Sequence, residues 1–329
     1  MINHSISFIV IGRNEGFKIT KCMESILYTV DINQISDYEI LYIDSKSTDD
    51  TLTRVQEFES VKVFTISGTT NAAIARNIGA LESKKDILFF IDGDMEIIPE
   101  TLQLLYTPAK GLINDFVSGD FEDYFYDNTD NLIGFKKRHN LKHDTYQITT
   151  GGLFLITKNL WNSIGGMKNK FKKSQDFDLG LRLSKKGHKL LRIKEVLAKH
   201  HTISYNRNDR LWSDIIKGNF LYTKPLLYRE NIFNRFIFQY LAREVTLFFF
   251  ILTLCVSIYL KNPMYLVLYL LLVLIKLLYK RKKVKGNFWS LYARYIIFDA
   301  GTFLGFFLFW PKSNKELDYV QLKVAEKQK

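Results

Sequence analysis

Cysteine is scarce: Cys22 and Cys255 are the only two. That excludes a disulfide scaffold and a cysteine-based zinc site, and it points to a reducing compartment. A secretory leader is also lacking. Met1-Ile2-Asn3-His4-Ser5 has no basic stretch, and the apolar run behind it is only Ile6–Ile11, so the N-terminal region is expected to stay in the cytoplasm. There is no internal repeat and no low-complexity segment. Acidic residues are scarce in one place: residues 211–329 carry 7 Asp+Glu against 18 Lys+Arg, whereas residues 1–210 carry 27 against 28. The net charge of +12 therefore belongs to the C-terminal third. Basic residues flanking apolar runs suit an anionic membrane surface. A nucleic-acid binder would spread its basic face over the folded domain, so no nucleic-acid partner is expected. With 47% hydrophobic and 24% charged residues over 329, the chain is neither disordered nor collagen-like and has room for a large core.

Residues 1–100 alternate strand and helix signals. Ile6–Ile11, Glu39–Ile43, Val61–Ile66 and Ile87–Ile91 are apolar runs of strand length, and Gly16–Tyr28, Asp49–Phe58 and Asn71–Glu82 between them read as helices. This βαβαβαβ pattern predicts an open, mostly parallel sheet flanked by helices. Ligands of such sheets sit beyond the C-terminal strand ends. Those ends are Gly12-Arg13-Asn14-Glu15, Asp44-Ser45 and Asp92-Gly93-Asp94, so polar residues gather at one rim. Further on, Phe116–Phe121, Gly152–Ile156, His188–Ile193 and Val196–Ser204 predict strands, and Asp176–Lys186 predicts an amphipathic helix stopped by Gly187.

The composition then changes. Val245–Leu260 is uncharged and Met264–Ile275 is apolar, with Lys261-Asn262-Pro263 between them. A spanning helix needs about 20 residues, so a transmembrane hairpin of 236–260 and 263–280 is expected. Lys280–Lys283 and Lys285 place its outer ends in the cytoplasm. The apolar stretch 288–310 contains Arg294 and Asp299, and is expected to lie in the interface or re-enter the membrane. The expected organisation is a catalytic domain over 1–210, an amphipathic linker over 211–235, the hairpin, the interfacial segment, and a cytoplasmic tail over 311–329.

Asp92-Gly93-Asp94 puts two carboxylates on a tight turn after a buried strand. That is a hard, oxygen-rich site for Mg²⁺ or Mn²⁺ which leaves positions open for phosphates. Arg76 offers a planar fork to a carboxylate or phosphate, or else forms an ion pair with Asp44 or Asp92.

At this point the chain resembles the family 2 glycosyltransferases of GT-A fold, over residues 5 to about 205. Ile11–Gly16, Ile43–Thr51, Ala75-Arg76-Asn77-Ile78-Gly79, Asp92–Asp94 and the acceptor-side segments Gly151–Met167 and Gln175–Leu183 match in order. The resemblance implies a nucleotide-sugar donor, most simply a UDP-sugar, held by Gly12, Arg13, Asn14, Glu15, Asp44, Ser45, Arg76, Asn77 and Asp92. It implies an acceptor held by Gly151, Gly152, Gln175 and Arg182. Asp94 is the direct metal ligand, and Asp92 touches either ribose or the metal. One of His200 and His201 completes the metal site; on a strand the two rings point to opposite faces, so only one serves. Asp176 is the expected general base. The family usually has Glu-Asp where this chain has Gln175-Asp176, so the base is kept and its neighbour is a neutral amide.

The function so implied is an inverting, metal-dependent transfer of sugar to a lipid-linked saccharide, in envelope polysaccharide or glycan synthesis, at the cytoplasmic face of the plasma membrane. A close variant transfers directly to polyprenyl phosphate. The other classes are a nucleotidyltransferase, whose Gly-x-Gly-x-Arg loop is absent here, and a non-catalytic nucleotide-sugar-binding membrane protein.

Overall fold

The computed structural model describes residues 5–107, 111–127, 129, 131–203, 208–280, 287–313 and 316–324. The chain divides into two units, one of residues 1–204 with 313–329, the other of residues 205–312.

The first unit is built on one large sheet. Its strands are β1 (Ile6–Gly12), β2 (Tyr38–Asp44), β3 (Val61–Ile66), β4 (Ile87–Asp92), β5 (Met95–Ile97), β8 (Phe116–Tyr126), β9 (Leu132–Lys137), β10 (Thr145–Gln147), β11 (Phe154–Thr157), β12 (Leu190–Ile203) and β13 (Tyr319–Lys323). A separate pair is formed by β6 (Tyr106–Thr107) and β7 (Gly111–Leu112). The sheet runs β10-β12-β8-β11-β4-β1-β2-β3-β13, with β5 added to β12 and β9 to β8. Strands β3, β2, β1 and β4 are mutually parallel, and β11 then enters antiparallel beside β4. Both faces of β1 are buried, which is why its sequence is a continuous apolar run rather than an alternation.

The order 3-2-1-4 reverses direction at β1, so the crevice beyond the strand ends opens there. Register fixes what lines it: Gly12 pairs with Asp44 and Ile11 with Asp92. Ser45 N donates to Gly12 O at 2.9 Å and Gly93 N to Ile11 O at 2.8 Å, which carries the alignment into the loops. The helix Ala72–Glu82 and the helix Gln175–Lys185 complete the rim. The second of these packs so closely that a Cβ on Gly180 would stand 1.7 Å from the Ile148 carbonyl oxygen.

Three features differ from the sequence reading. The two short late strands are one, β12, with register irregularities between Arg192 and Ala198. The hairpin β8–β9 is longer than its apolar part, because Leu132–Lys137 pairs along an exposed edge that carries no burial pattern. The tail is not a free extension: β13 adds antiparallel to β3. Tyr319 packs its ring edge-on to Phe64 and bonds Glu82 through its hydroxyl, and Lys323 Nζ caps Gln56 O at 2.6 Å.

The second unit is helical, with its principal helices at Asn208–Ile216, Lys224–Glu230, Val245–Tyr259, Tyr265–Lys280 and Phe288–Leu308. Tyr269, Val273 and Leu277 form its core with Phe250, Leu291 and Tyr295. Gly301 and Gly305 let this packing close, since a Cβ on Gly301 would meet Phe220 at 2.1 Å and one on Gly305 would meet Leu221 at 2.9 Å. Among the described residues Phe288–Leu308, 21 residues, is by itself long and apolar enough to cross a membrane, and a bent pair makes a second candidate if it is one span. The former is the segment expected in the interface. The stretch 236–260 is broken, Arg235–Leu241 being bent 82° from Val245–Tyr259. The break falls at Glu244, which accepts from Lys224 Nζ at 2.7 Å and Tyr228 Oη at 2.8 Å. The 15-residue helix beyond it is about 22 Å long, short of a hydrocarbon core of about 30 Å. Lys280–Lys283 and Lys285, which set the hairpin's orientation, lie outside the described residues apart from the helical backbone of Lys280.

Gly180→Ala is expected to destabilise the first unit by about 1–3 kcal/mol and to displace the helix bearing Asp176. Urea denaturation measures the first effect.

Candidate active site

The loop after β1 is locked to the loop after β2. Asn14, at φ 57°, accepts from Thr48 N at 2.8 Å through Oδ1, and its own N–H donates to Ser47 Oγ at 3.0 Å. Thr51 Oγ1 accepts from the N–H groups of Glu15 and Gly16 at 2.8 and 3.0 Å. The Asn14 side chain is thus spent on the loop contact. Arg13 is exposed at the rim. Asp44 is fully buried and accepts from Ser47 N at 3.0 Å and Thr65 Oγ1 at 3.3 Å through Oδ2. Ser45 stands beside it, half-buried.

Three carboxylates converge beyond β1 and β4. Glu15, Asp92 and Asp94 each raise or are raised by another's charge. Burial, then the charge of Asp94, pushes Glu15 up to about 7. Enclosure pushes Asp92 up to about 6, with the neighbouring arginine opposing it and Asp94 adding to it. That arginine is Arg76, 2% exposed, whose Nη2 lies 2.5 Å from Asp92 Oδ1. Its Nε and Nη1 are buried with no hydrogen-bond partner among the described residues, and each has a hydrogen to donate. A Cβ on Gly152 would fall 2.0 Å from Asp92 Oδ2, so only glycine admits this carboxylate.

The two histidines separate as a strand requires. His200 Nε2 lies 3.2 Å from Asp94 Oδ2, and its Nδ1 lies 2.8 Å from Asp123 Oδ1. Arg138 holds Asp123 through Nη2 at 2.5 Å and Nε at 3.0 Å. His201 turns instead to Glu96 at 3.0 Å and the Tyr126 hydroxyl at 2.8 Å. Although burial opposes it, the two flanking carboxylates push His200 up to about 10. Asp94 is lowered in turn, the hydrogen bond and charge of His200 outweighing its enclosure. Asp123 and Arg138 lie on and just past the β8–β9 hairpin, a part of the site that carries no motif; only the alternation of charge and aromatic residues marks it.

Asp176 sits in the first turn of the helix Gln175–Lys185, behind Ser174 at φ 60°. Enclosure raises its carboxyl, while Arg76 and the N–H groups of Phe177 and Gly151 pull the other way. The charge of Asp176 reaches Asp92, so the expected base and the expected metal motif face one cleft with Arg76 between them. Gly151, at φ 72°, gives its N–H to this arrangement. The Oε1 of Gln175 is buried without a partner.

Two residues expected to contact ligand are bonded within the protein. Arg182 donates to Asp178 Oδ2 at 2.8 Å, Ile164 O at 3.0 Å and Gly166 O at 2.8 Å, so its fork is used to hold the 164–166 loop. Asn77 clasps Met167 through its N–H at 3.0 Å and its carbonyl at 2.7 Å. Both residues are struts of the helix–loop frame. Among the described residues no group of three or more His, Cys, Asp or Glu side chains is placed to hold a metal ion.

A mixed sheet with its polar rim at the β1 crossover, flanked by helices, is the architecture of GT-A glycosyltransferases. The structure of GalNAc-T7 with UDP, GalNAc and Mn²⁺ superposes with a TM-score of 0.50 at 17% identity, over 62% of this chain and 44% of that one. The chain belongs to glycosyl transferase family 2, whose family model matches residues 7–171. It is 27% identical over 327 residues to a Methanococcus voltae protein, dolichyl N-acetyl-alpha-D-glucosaminyl phosphate 3-beta-D-2,3-diacetamido-2,3-dideoxy-beta-D-glucuronosyltransferase, covering 86% of this chain and 98% of that protein. It is 28% identical over 120 residues to the poly(ribitol-phosphate) beta-N-acetylglucosaminyltransferase TarP of Staphylococcus aureus (strain N315). That match spans 35% of this chain and about a third, 36%, of TarP.

His200 gives this site a pH signature. A histidine raised from 6.5 to about 10 binds its proton more tightly folded than unfolded. Its stabilisation is full below pH 6.5 and is lost as pH rises through about 10. The metal-free protein should therefore lose thermal stability between pH 6.5 and 8.5, and His200→Gln should flatten that slope. An unchanged slope in the variant would refute the assignment.

Proposed function

We propose that the chain is an inverting, divalent-metal-dependent glycosyltransferase that uses a nucleotide-sugar, a UDP-sugar in the simplest case, and a lipid-linked saccharide as acceptor. The observation that carries the reading is that Asp92 is bonded to Arg76 and feels the charges of Asp94 and Asp176, while Asp176 in turn feels that of Arg76. A Mg²⁺ or Mn²⁺ ion fits here on its own chemistry. Three crowded carboxylates, two of them raised by their neighbours, are relieved by a dication, and Asp94 with His200 offers an oxygen and a nitrogen at 3.2 Å separation. An ion so held would neutralise the diphosphate of the leaving nucleotide.

The chain's own residues do the rest. Asp44 receives a donor N–H of the base, and the loops after β1 and β2, being bonded to each other, hold the nucleoside as one unit. The unpartnered nitrogens of Arg76 bind donor oxygens. Asp176 takes the proton from the acceptor hydroxyl as that oxygen bonds to the anomeric carbon and the bond to phosphate breaks. Enclosure raises its basicity for this task. Gln175 offers its free Oε1 to a sugar hydroxyl.

The acceptor class is supported by the Methanococcus voltae relative, whose name describes transfer to a dolichyl-linked sugar phosphate, and by the apolar helical unit. The helix Phe288–Leu308 is mostly unburied, unlike a soluble core helix, and Phe248, Leu252, Leu268 and Leu304 are each at least half exposed. We place this unit at the cytoplasmic face of the plasma membrane. Because β13 rejoins the sheet of the first unit, residues 205–312 begin and end on one side. Their chain crosses the bilayer an even number of times or not at all.

Asp176→Asn should retain donor binding by calorimetry and lose transfer by about 100-fold or more; retained transfer would refute the base. In sealed vesicles, tags at residue 1 and residue 329 should be cleaved from the same side. Opposite-sided cleavage would contradict the return of β13.

A further inference from the structure

The helical unit holds a cavity of about 410 Å³ that the sugar chemistry does not use. Four cations, Lys224, Arg243, Lys276 and Arg294, and two carboxylates, Glu244 and Asp299, line it among apolar walls. Both carboxylates are satisfied from within. Glu244 accepts from Lys224 and Tyr228, and Asp299 accepts from the Tyr269 hydroxyl at 3.0 Å and from the Thr246 hydroxyl. Arg243 and Arg294 form no ion pair among the described residues. Their guanidinium groups lie over Tyr240 and Phe298 instead, 5.7 and 5.3 Å from the ring centroids.

Both arginines are exposed to solvent while lining the cavity, so an entering anion reaches them without displacing an ion-pair partner. A guanidinium fork matches phosphate oxygens two at a time, and two forks on one cavity suit a group with several acceptor oxygens. Exposed apolar side chains on the same helices, Phe248 and Ile275 among them, offer a hydrocarbon chain a surface beside that group.

We propose that this cavity binds a phosphate group between Arg243 and Arg294, the headgroup of a lipid or the free anion. The inference rests on the membrane part of the proposed function and names phosphate as what the helical unit grips.

The test uses the full chain in neutral detergent, with affinities read from the shift of the thermal midpoint on titration with phosphatidic acid, phosphatidylcholine or inorganic phosphate. Phosphatidic acid should raise the midpoint and phosphatidylcholine should not. Arg243→Gln with Arg294→Gln should weaken the phosphatidic acid effect by about 100-fold or more, each lost charge-assisted bond contributing about 1.5–3 kcal/mol, while Arg243→Lys with Arg294→Lys, which keeps the charge but not the fork, should weaken it less. A rise with inorganic phosphate as well assigns the free anion, and a rise with phosphatidic acid alone assigns the lipid. An equal rise with phosphatidylcholine, an undiminished response in the Gln pair, or no response to either phosphate overturns the proposal. Metal-dependent donor hydrolysis, measured in the same samples, reports on the first unit: its loss with the lipid response intact would count against the transferase reading and not against this one.

Discussion

The structure depends on carboxylates and cations gathered at one sheet rim. Glu15, Asp92 and Asp94 meet where β1 and β4 end, and Lys18, Arg76 and His200 are the cations that face them. Carboxylates in this density are unfavourable without positive charge beside them. The fold supplies the density through register, since a one-residue slip of β4 against β1 would turn Asp92 to the other face. On the proposed function, a dication with its diphosphate would add to the positive charge already there.

Around this rim the frame is stiffened by side chains bonded to neighbouring loops. Asn14, Asn77 and Arg182 spend their polar groups on neighbouring loops. Asp123 and Arg138 aim the His200 ring from behind, as outer-sphere partners of metal-binding histidines commonly do. Preorganisation of this kind lets Arg76 and Asp176 wait in place for their substrates at little cost in ordering.

Much of this was legible in the sequence, for a physical reason. Parallel strands buried on both faces are continuous apolar runs, and the residue that ends each run is the one at the ligand edge, so Gly12, Asp44 and Asp92 announce themselves. The hairpin carrying Asp123 and leading to Arg138 does not, because an exposed edge strand has no burial period. Strand β13 is separated from β3 by some 250 residues of chain, and five residues of alternating pattern cannot name so distant a partner. Asn77 and Arg182 sit in motif segments, but residue type alone does not reveal that a donor group is consumed by a backbone carbonyl. In the helical unit, apolar length does not reveal the bend at Glu244, which finds Lys224 and Tyr228, nor that the helix Phe288–Leu308 runs unbroken through Arg294 and Asp299.

The central claim is that the acid cluster with His200 is a cation site, and it is tested most directly by calorimetric titration of Mn²⁺ into the full chain at pH 7 in buffers of different ionisation enthalpy. Because His200 is raised to about 10 and Glu15 to about 7 in the metal-free state, binding should release protons and tighten as pH rises, and Asp94→Asn should weaken it sharply. Binding without proton release, or binding indifferent to Asp94, would contradict the account.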